Sequence, residues 1–232
     1  YYMASCLDLA HHHPDESVRR TNQAMADLLT PVVKAWSTDT GIAVADIGIQ
    51  VHGGMGYIEE TGAAQHLRDV RVTAIYEGTN GIQAADLVGR KVARENAESV
   101  KSLIKLIESD LKNFDFKENE ALTKHLSSAT DALITATDWI TKTFATKPQH
   151  VAAGAVHYTR MLGLTLGGWL MTKAASKALE LTKAGTGNLE FLEAKVLSAR
   201  FFADQFVSQV PANLELVKSG ADALDELRDA HF

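Results

Sequence analysis

Cysteine is nearly absent from this 232-residue chain: Cys6 is the only one. One thiol cannot form an intrachain disulfide, and neither a disulfide scaffold nor a Cys-rich zinc site is available. Cysteine usage therefore fits a reducing, intracellular compartment, and a cytoplasmic location is expected. A basic excess is lacking too. With 23 Lys and Arg against 29 Asp and Glu, the net charge is -6, which gives no electrostatic reason to expect nucleic acid or an anionic membrane as partner. Long apolar runs are also missing. The least polar stretch, "MLGLTLGGWLM" from Met161 to Met171, falls well short of the roughly 20 residues that span a bilayer, and reads as the core of a buried helix. The first residues, "YYMASCLDLA", carry no basic segment or cleavage pattern; an amphipathic helix is already under way at Tyr1, and a carboxy-terminal piece of a longer protein is expected.

What is present is helix. At 46% hydrophobic residues the chain can bury a sizeable core. Pro14 stops a first helix after the histidines, and Asp15 or Ser17 can cap a second. Its apolar face passes Leu28, Val32, Val33 and Trp36, with Pro31 expected to kink the helix or restart it. The pattern runs on through "GIAVADIGIQV" and stops at "HGGMG", where three glycines make continuation costly. Beyond Arg90 the helices become cleanly amphipathic. Val100, Leu103, Ile104, Ile107 and Leu111 mark one face; Leu122, Leu126, Ala129, Leu133, Ala136 and Ile140 form a four-and-three seam. "FKENE" and "TKPQH" are the turns flanking that second helix. A third, from about His150 to Lys183, is apolar on most faces, and Gly163, Gly167 and Gly168 are expected to bring neighbouring backbones close. After "AGTGN", Asn188 can cap a fourth, with Leu192, Val196, Ala199, Ala203, Phe206 and Val210 as its seam until Pro211. Short connections argue for an up-down bundle. The fold class is thus all-α, in two regions, 1–94 and 95–232, joined by a continuous helix through "KVARENAE" at 91–98.

Several chemistries can be weighed from the residues. His11, His12 and His13 are adjacent, so on a helix they point in different directions, and a structural role at a helix end is favoured over a metal site. His52, His66, His125, His150 and His157 show no metal-ligand spacing, and no metal is expected. No G-x-S-x-G elbow exists. The glycines of "QVHGGMGYIEE" do not fit G-x-G-x-x-G, because Glu59 holds the last glycine position and a helix precedes them. They form either a plain helix stop or a run of unobstructed amides suited to phosphate oxygens. In "AIYEGTNGIQ", Glu77 is the single charge in an uncharged run from Val72 to Ala85. It is either a solvated turn residue or a carboxylate lodged among Ile75, Tyr76 and Ile82, partly desolvated and therefore a stronger base when ionised, with Gly78 leaving room for a substrate.

Three segments in order, "IQVHGGMGYIEE", "HLRDVRV" and "IYEGTNGIQ", resemble the carboxy-terminal domain of the acyl-CoA dehydrogenases, flavoenzymes that oxidise acyl-CoA thioesters at the α and β carbons. The resemblance covers residues 1–92. Residues 93–232 are similar in position and architecture to the extra helical domain of larger members, a subgroup that includes enzymes acting on 3-methylmercaptopropionyl-CoA. The resemblance implies FAD as cofactor, Glu77 as the catalytic base, and Tyr76 and Gly78 at the substrate. It implies FAD contacts from Thr79, Asn80 and Gly81, and contacts from Gln50, Val51, His52, Gly53 and Gly54 to the FAD of a neighbouring subunit, hence a homo-oligomer. Fatty acid metabolism and an acceptor of the electron-transfer flavoprotein type follow from the same likeness. Asn80 and Gly81 stand where other members commonly carry a serine and a larger residue. For Arg68, Asp69 and Arg71 a structural ion-pair network is expected. Competing readings are an alkylation-response relative that binds nucleic acid, against which the acidic balance counts, and a non-catalytic helical interaction or oligomerisation module.

The family's amino-terminal helical domain and middle β-domain find no match in these residues, so the 232-residue chain alone is not expected to be a competent enzyme. Purified by itself it should be helical by circular dichroism yet carry little or no FAD, because one side of a site leaves little net binding free energy. A stoichiometric flavin absorbance in the purified chain would contradict this.

Overall fold

The computed structural model describes residues 1–114, 120–219 and 221–231. All of its regular structure is helical; among the described residues there is no strand, and no helix is long and apolar enough to cross a membrane. Backbone contacts divide it into two compact units, 1–87 and 88–232.

The first unit is organised by one long helix. α1 (Tyr2–His12) ends where His13 turns extended, and α2 (Glu16–His52) begins with Asp15 as its cap. The Ser17 N–H donates to Asp15 Oδ1 at 2.7 Å, and the Ser17 hydroxyl adds a second bond at 2.8 Å. Together these hold the Asp15 carboxyl below the usual carboxylate range. The His13 ring accepts from the Asp15 N–H at 3.1 Å, while Arg19 donates to the His13 carbonyl, so His13 serves the helix junction. α2 passes through Pro31 without restarting. The neighbouring Thr30 hydroxyl donates to the Ala26 carbonyl at 2.8 Å, and Leu28, Leu29, Pro31 and Val32 are buried together, so packing outweighs the one ladder bond that proline removes. Gly53, at φ 61, ends α2. The glycine segment then forms a single turn, α3 (Gly54–Tyr57), and a Cβ at Gly56 would collide with the Ile49 carbonyl. α4 (Ala63–Arg71) and α5 (Asn80–Asp86) also pack on α2.

The continuous helix expected over 91–98 is not what forms. Leu87–Arg94 is π-helical, and the Ala97 N–H reaches back five residues to the Val92 carbonyl at 2.7 Å. Asn96 (φ 50) and Ala97 (φ 56) then take left-handed conformations before α6 (Glu98–Asn113) starts. Asparagine tolerates that region, and Ala97 is small enough to sit there fully buried.

In the second unit α6 is followed by α7 (Glu120–Thr143), α8 (Pro148–Ala153), α9 (Ala155–Lys183), α10 (Leu189–Gln205), α11 (Val210–Lys218) and α12 (Ala221–Asp225). Residues 116–119 of the expected "FKENE" turn lie outside the described residues, whereas "TKPQH" is a turn that opens α8 with Pro148 in its first turn. All six seam residues of α7 are buried. Leu122 clusters with Ala175, Ala199 and Ala203, and Thr137 meets Tyr158, so α7 and α9 run antiparallel.

The second unit departs from the sequence pattern at several points. The third helix is split at Gly154, where a Cβ would strike the Val217 backbone; this is where backbones approach. By contrast, Gly167 and Gly168 make room for side chains, Phe202 and Val207. Val196 is only half-buried at the edge of the α10 seam, and Phe206 is 39% exposed because α10 stops at Gln205. Nor does Pro211 end the bundle. It occupies the first turn of α11, where a missing N–H costs nothing, and α11 packs on α7 and α9 with Val210, Asn213 and Val217 buried. A further helix thus joins the four expected.

Polar groups in this core are satisfied locally. Thr130, Thr137, Thr159, Thr165 and Thr172 each donate to the carbonyl four residues earlier, at 2.7–2.9 Å. Among the described residues no buried side-chain nitrogen or oxygen lacks a partner. Asp110 ties α6 to α9, accepting from Trp169 Nε1 at 2.8 Å and Lys173 Nζ at 2.7 Å.

Leu133 is fully buried, so Leu133→Ala should cost about 2–5 kcal/mol in chemical denaturation. Tyr158 is also fully buried, and burial pushes its phenol well above the ordinary range. A raised folded pKa contributes stability that is complete below the unfolded value of about 10 and is lost as pH rises beyond it. Stability above about pH 10 should therefore fall more steeply in the wild type than in Tyr158→Phe; equal slopes would contradict this.

Candidate functional site

The two groups of expected site residues are carried by α2 and the elements folded onto it. After α4, a 3-10 turn (Val72–Ala74) leads into the loop that carries Tyr76, Glu77 and Gly78. Glu77 (φ 53) and Gly78 (φ 84) are consecutive left-handed residues, an arrangement that glycine adopts freely and glutamate does not. Thr79 then caps α5, its hydroxyl accepting from the Ile82 N–H at 3.3 Å.

The loop is tied to the middle of α2. Lys34 Nζ donates to the Gly78 carbonyl at 2.6 Å and to Asn80 Oδ1 at 2.8 Å. Asn80 Nδ2 donates to the Ala35 carbonyl (3.2 Å), the Thr38 hydroxyl (2.9 Å) and Asp39 Oδ1 (2.6 Å). Gln83 Nε2 completes the arrangement by donating to the Glu77 carbonyl at 3.3 Å. The Asn80 side chain is thus spent on α2 and the Thr79 hydroxyl on its own helix; what they leave free at this turn is backbone.

Lys34, Thr38, Asp39 and Gln83 were not picked out by sequence reasoning. The available signal was a polar i, i+4, i+5 set on a helix whose neighbouring positions, Leu28, Val32 and Ala35, are buried. Which residues that set would meet, more than 40 positions away, had no local trace.

Of the two readings of Glu77, a solvated turn residue or a desolvated carboxylate, this chain by itself shows the first. Glu77 is exposed, and so are Ile75 (53%), Tyr76 (52%) and Ile82 (62%). The run is apolar, but it rims an open surface. Among the described residues the Glu77 carboxylate has no hydrogen bond or ion pair, and the Glu77 N–H donates to nothing.

Gln50, Val51, His52, Gly53 and Gly54 lie at the far end of α2, all exposed. His52 Nδ1 lies 2.8 Å from the Gly48 carbonyl, and space is open on the Cα of both Gly53 and Gly54. Gln50 is twelve residues from Thr38 along the same helix, about 18 Å at 1.5 Å per residue. The structure therefore keeps this group apart from the Glu77 loop. Between them a groove of about 480 Å³ runs along α2 and α4, lined by Gly41, Val44, Gly48, His52, His66 and Val70. Arg68 pairs with Glu59 at 3.6 Å and bonds Gln65, which bonds Asp69 at 2.7 Å; this exposed network and the neighbouring Arg71 dress the surface of α4. Among the described residues no three His, Cys, Asp or Glu side chains are grouped to hold a metal ion.

Residues 4–92 match the family described as "Acyl-CoA dehydrogenase, C-terminal domain", and residues 97–228 that described as "Acetyl-CoA dehydrogenase C-terminal like". The chain is 37% identical over 221 residues, 94% of its length, to a 3-methylmercaptopropionyl-CoA dehydrogenase of Ruegeria pomeroyi. It is 28% identical over 215 residues, 89% of its length, to a broad-specificity linear acyl-CoA dehydrogenase of Mycobacterium tuberculosis. It spans 37% and 35% of the length of those two relatives. In fold it is similar to an acyl-CoA dehydrogenase of Bacillus anthracis whose crystal structure is a complex with FAD, with a TM-score of 0.66 and 19% identity over 97% of this chain and 41% of that one. Two helical units, each matched along nearly its whole length, place this chain in the acyl-CoA dehydrogenase family, as a carboxy-terminal portion carrying the additional helical domain.

Proposed function

We propose that this chain is the carboxy-terminal part of an FAD-dependent acyl-CoA dehydrogenase, in which Glu77 takes the α-proton of an acyl-CoA thioester. The observation that carries the reading is a carboxylate without a partner among the described residues, on a tethered left-handed backbone and ringed by exposed apolar side chains. A carboxylate without a partner is free to accept a proton, and a fixed backbone holds it where the proton arrives. Ile75, Tyr76 and Ile82 would be covered by the acyl chain, so the desolvation that strengthens the base comes with the substrate. Tyr76 lines the acyl side, and Gly78 leaves the approach open. The unused Glu77 N–H is placed to polarise the thioester carbonyl, which is what makes so weak a carbon acid removable.

Loss of the α-proton to Glu77 and of the β-hydrogen as hydride leaves a Cα–Cβ double bond, the 2,3-enoyl-CoA. FAD, when bound, supplies the hydride acceptor. Residues of this chain suited to hold it are Thr79, Asn80 and Gly81 through their backbone, and Gln50, Val51, His52, Gly53 and Gly54, where two glycines leave the chain open to close approach. Their separation along α2 fits contacts to two different flavins, one belonging to a neighbouring copy. Exposed Val44, Ile47, Val51, Met55 and Tyr57 give that end of the unit the apolar surface a homo-oligomer needs. An electron-transfer flavoprotein is the class of acceptor the reading implies.

In the full-length protein, Glu77→Gln should keep the fold and FAD content but lose at least about 10²-fold in dehydrogenation, because the amide cannot take the proton. Exchange of the substrate's α-hydrogens with D2O should fall with it. Wild-type exchange in the variant would remove Glu77 from the mechanism.

A further inference from the structure

We infer that Lys34 is a positioning residue for the base: its ammonium, bonded to the Gly78 carbonyl, holds the Glu77 backbone in the left-handed conformation that aims the carboxylate. The inference rests on the reading of Glu77 as base. It starts from an oddity of charge. Lys34 is partly buried, yet among the described residues it forms no ion pair. Its cation is spent on two neutral oxygens, Gly78 O at 2.6 Å and Asn80 Oδ1 at 2.8 Å. A charged donor to a carbonyl gives a stronger bond than a neutral one, and this one falls on the loop's least favourable stretch of backbone.

The direction of the Glu77 Cα–Cβ bond is set by the peptide planes on either side of it. The plane after Glu77 is held by Gln83 through the Glu77 carbonyl, at 3.3 Å. The next, after Gly78, is held by Lys34. Glycine at 78 has no conformational preference of its own to keep φ at 84, and glutamate at 77 prefers to leave φ 53 for the right-handed or extended regions. Without the ammonium, only the 3.3 Å bond from Gln83 opposes relaxation of the two residues, and the carboxylate swings with them. Thr38 and Asp39 cannot substitute, because they hold only the Asn80 amide, on the far side of the flexible Gly78.

The test uses the full-length protein with butyryl-CoA and compares Lys34→Met, Lys34→Arg, Glu77→Gln and the Lys34→Met/Glu77→Gln double variant. Lys34→Met should retain FAD and melting temperature. Its kcat and its α-hydrogen exchange in D2O should both fall on the order of 10²-fold, the scale of a misplaced reacting group, while KM changes less than about 3-fold. Lys34→Arg, which still presents N–H groups to both oxygens, should recover to within about 5-fold of wild type. In the Glu77→Gln background Lys34→Met should cause no further loss, since residues that act as a unit are not additive. Three results overturn the proposal: wild-type kcat in Lys34→Met, a full further loss in the Glu77→Gln background, or loss of FAD or fold in Lys34→Met, which assigns the lysine to the scaffold. If Glu77→Gln alone keeps wild-type exchange, the base reading itself fails and this inference with it, a result distinct from the other three.

Discussion

The carboxamide of Asn80 is the point through which the candidate site of the first unit is fastened to α2. Four groups of α2 converge on it and on the nearby Gly78 carbonyl: Lys34 Nζ, the Ala35 carbonyl, the Thr38 hydroxyl and Asp39 Oδ1. A flexible loop with two consecutive left-handed residues would otherwise sample many shapes. Fastened to the middle of a 37-residue helix, it has one. The same helix carries the Gln50–Gly54 turn at its end, so a single rigid element sets the distance between the two groups of candidate residues.

The helix can serve this way because its own weak points are covered. Asp15 caps its start, Gly53 ends it cleanly, and Pro31 is absorbed where buried leucines and valine pack on both sides. In the second unit the problem is different, since a nearly all-apolar α9 must still carry hydroxyls through the core. Threonines solve it by bonding within their own helix, which leaves their methyl groups to pack. Cross-helix polar links lie elsewhere, between Thr137 and Tyr158, and from Asp110 to Trp169 and Lys173.

What was legible in the sequence follows from range. The seam of α7 repeats every three or four residues, a local signal, and all six positions are buried. Asp15 and Asn188 as caps were readable because a cap acts within three residues. The π-helical stretch at 87–94 was not, because a five-residue hydrogen bond leaves the same apolar pattern over so short a span. Nor was α11, whose proline reads equally as a stop or as a first turn until α7 and α9 are there to receive it. For the candidate site, the type and place of Glu77 stood out as a lone charge, and the role proposed for it came from the motif around it. Its surroundings stayed open between a solvated turn and a desolvated niche, because a run of apolar residues does not say whether they face inward, and here they face out. Lys34 escaped notice altogether, because a lysine on a helix is ordinary until its partner 44 positions away is known.

The central claim is that α2 holds Glu77 where an acyl-CoA presents its α-carbon. A crystal structure of the full-length protein with an unreactive acyl-CoA analogue bound tests it most directly. The account predicts a Glu77 carboxylate oxygen about 3–3.5 Å from the α-carbon, with the Lys34 to Gly78 bond intact and Ile75, Tyr76 and Ile82 covered by ligand. A different carboxylate at the α-carbon, or a Glu77 loop detached from α2 in that complex, would contradict it.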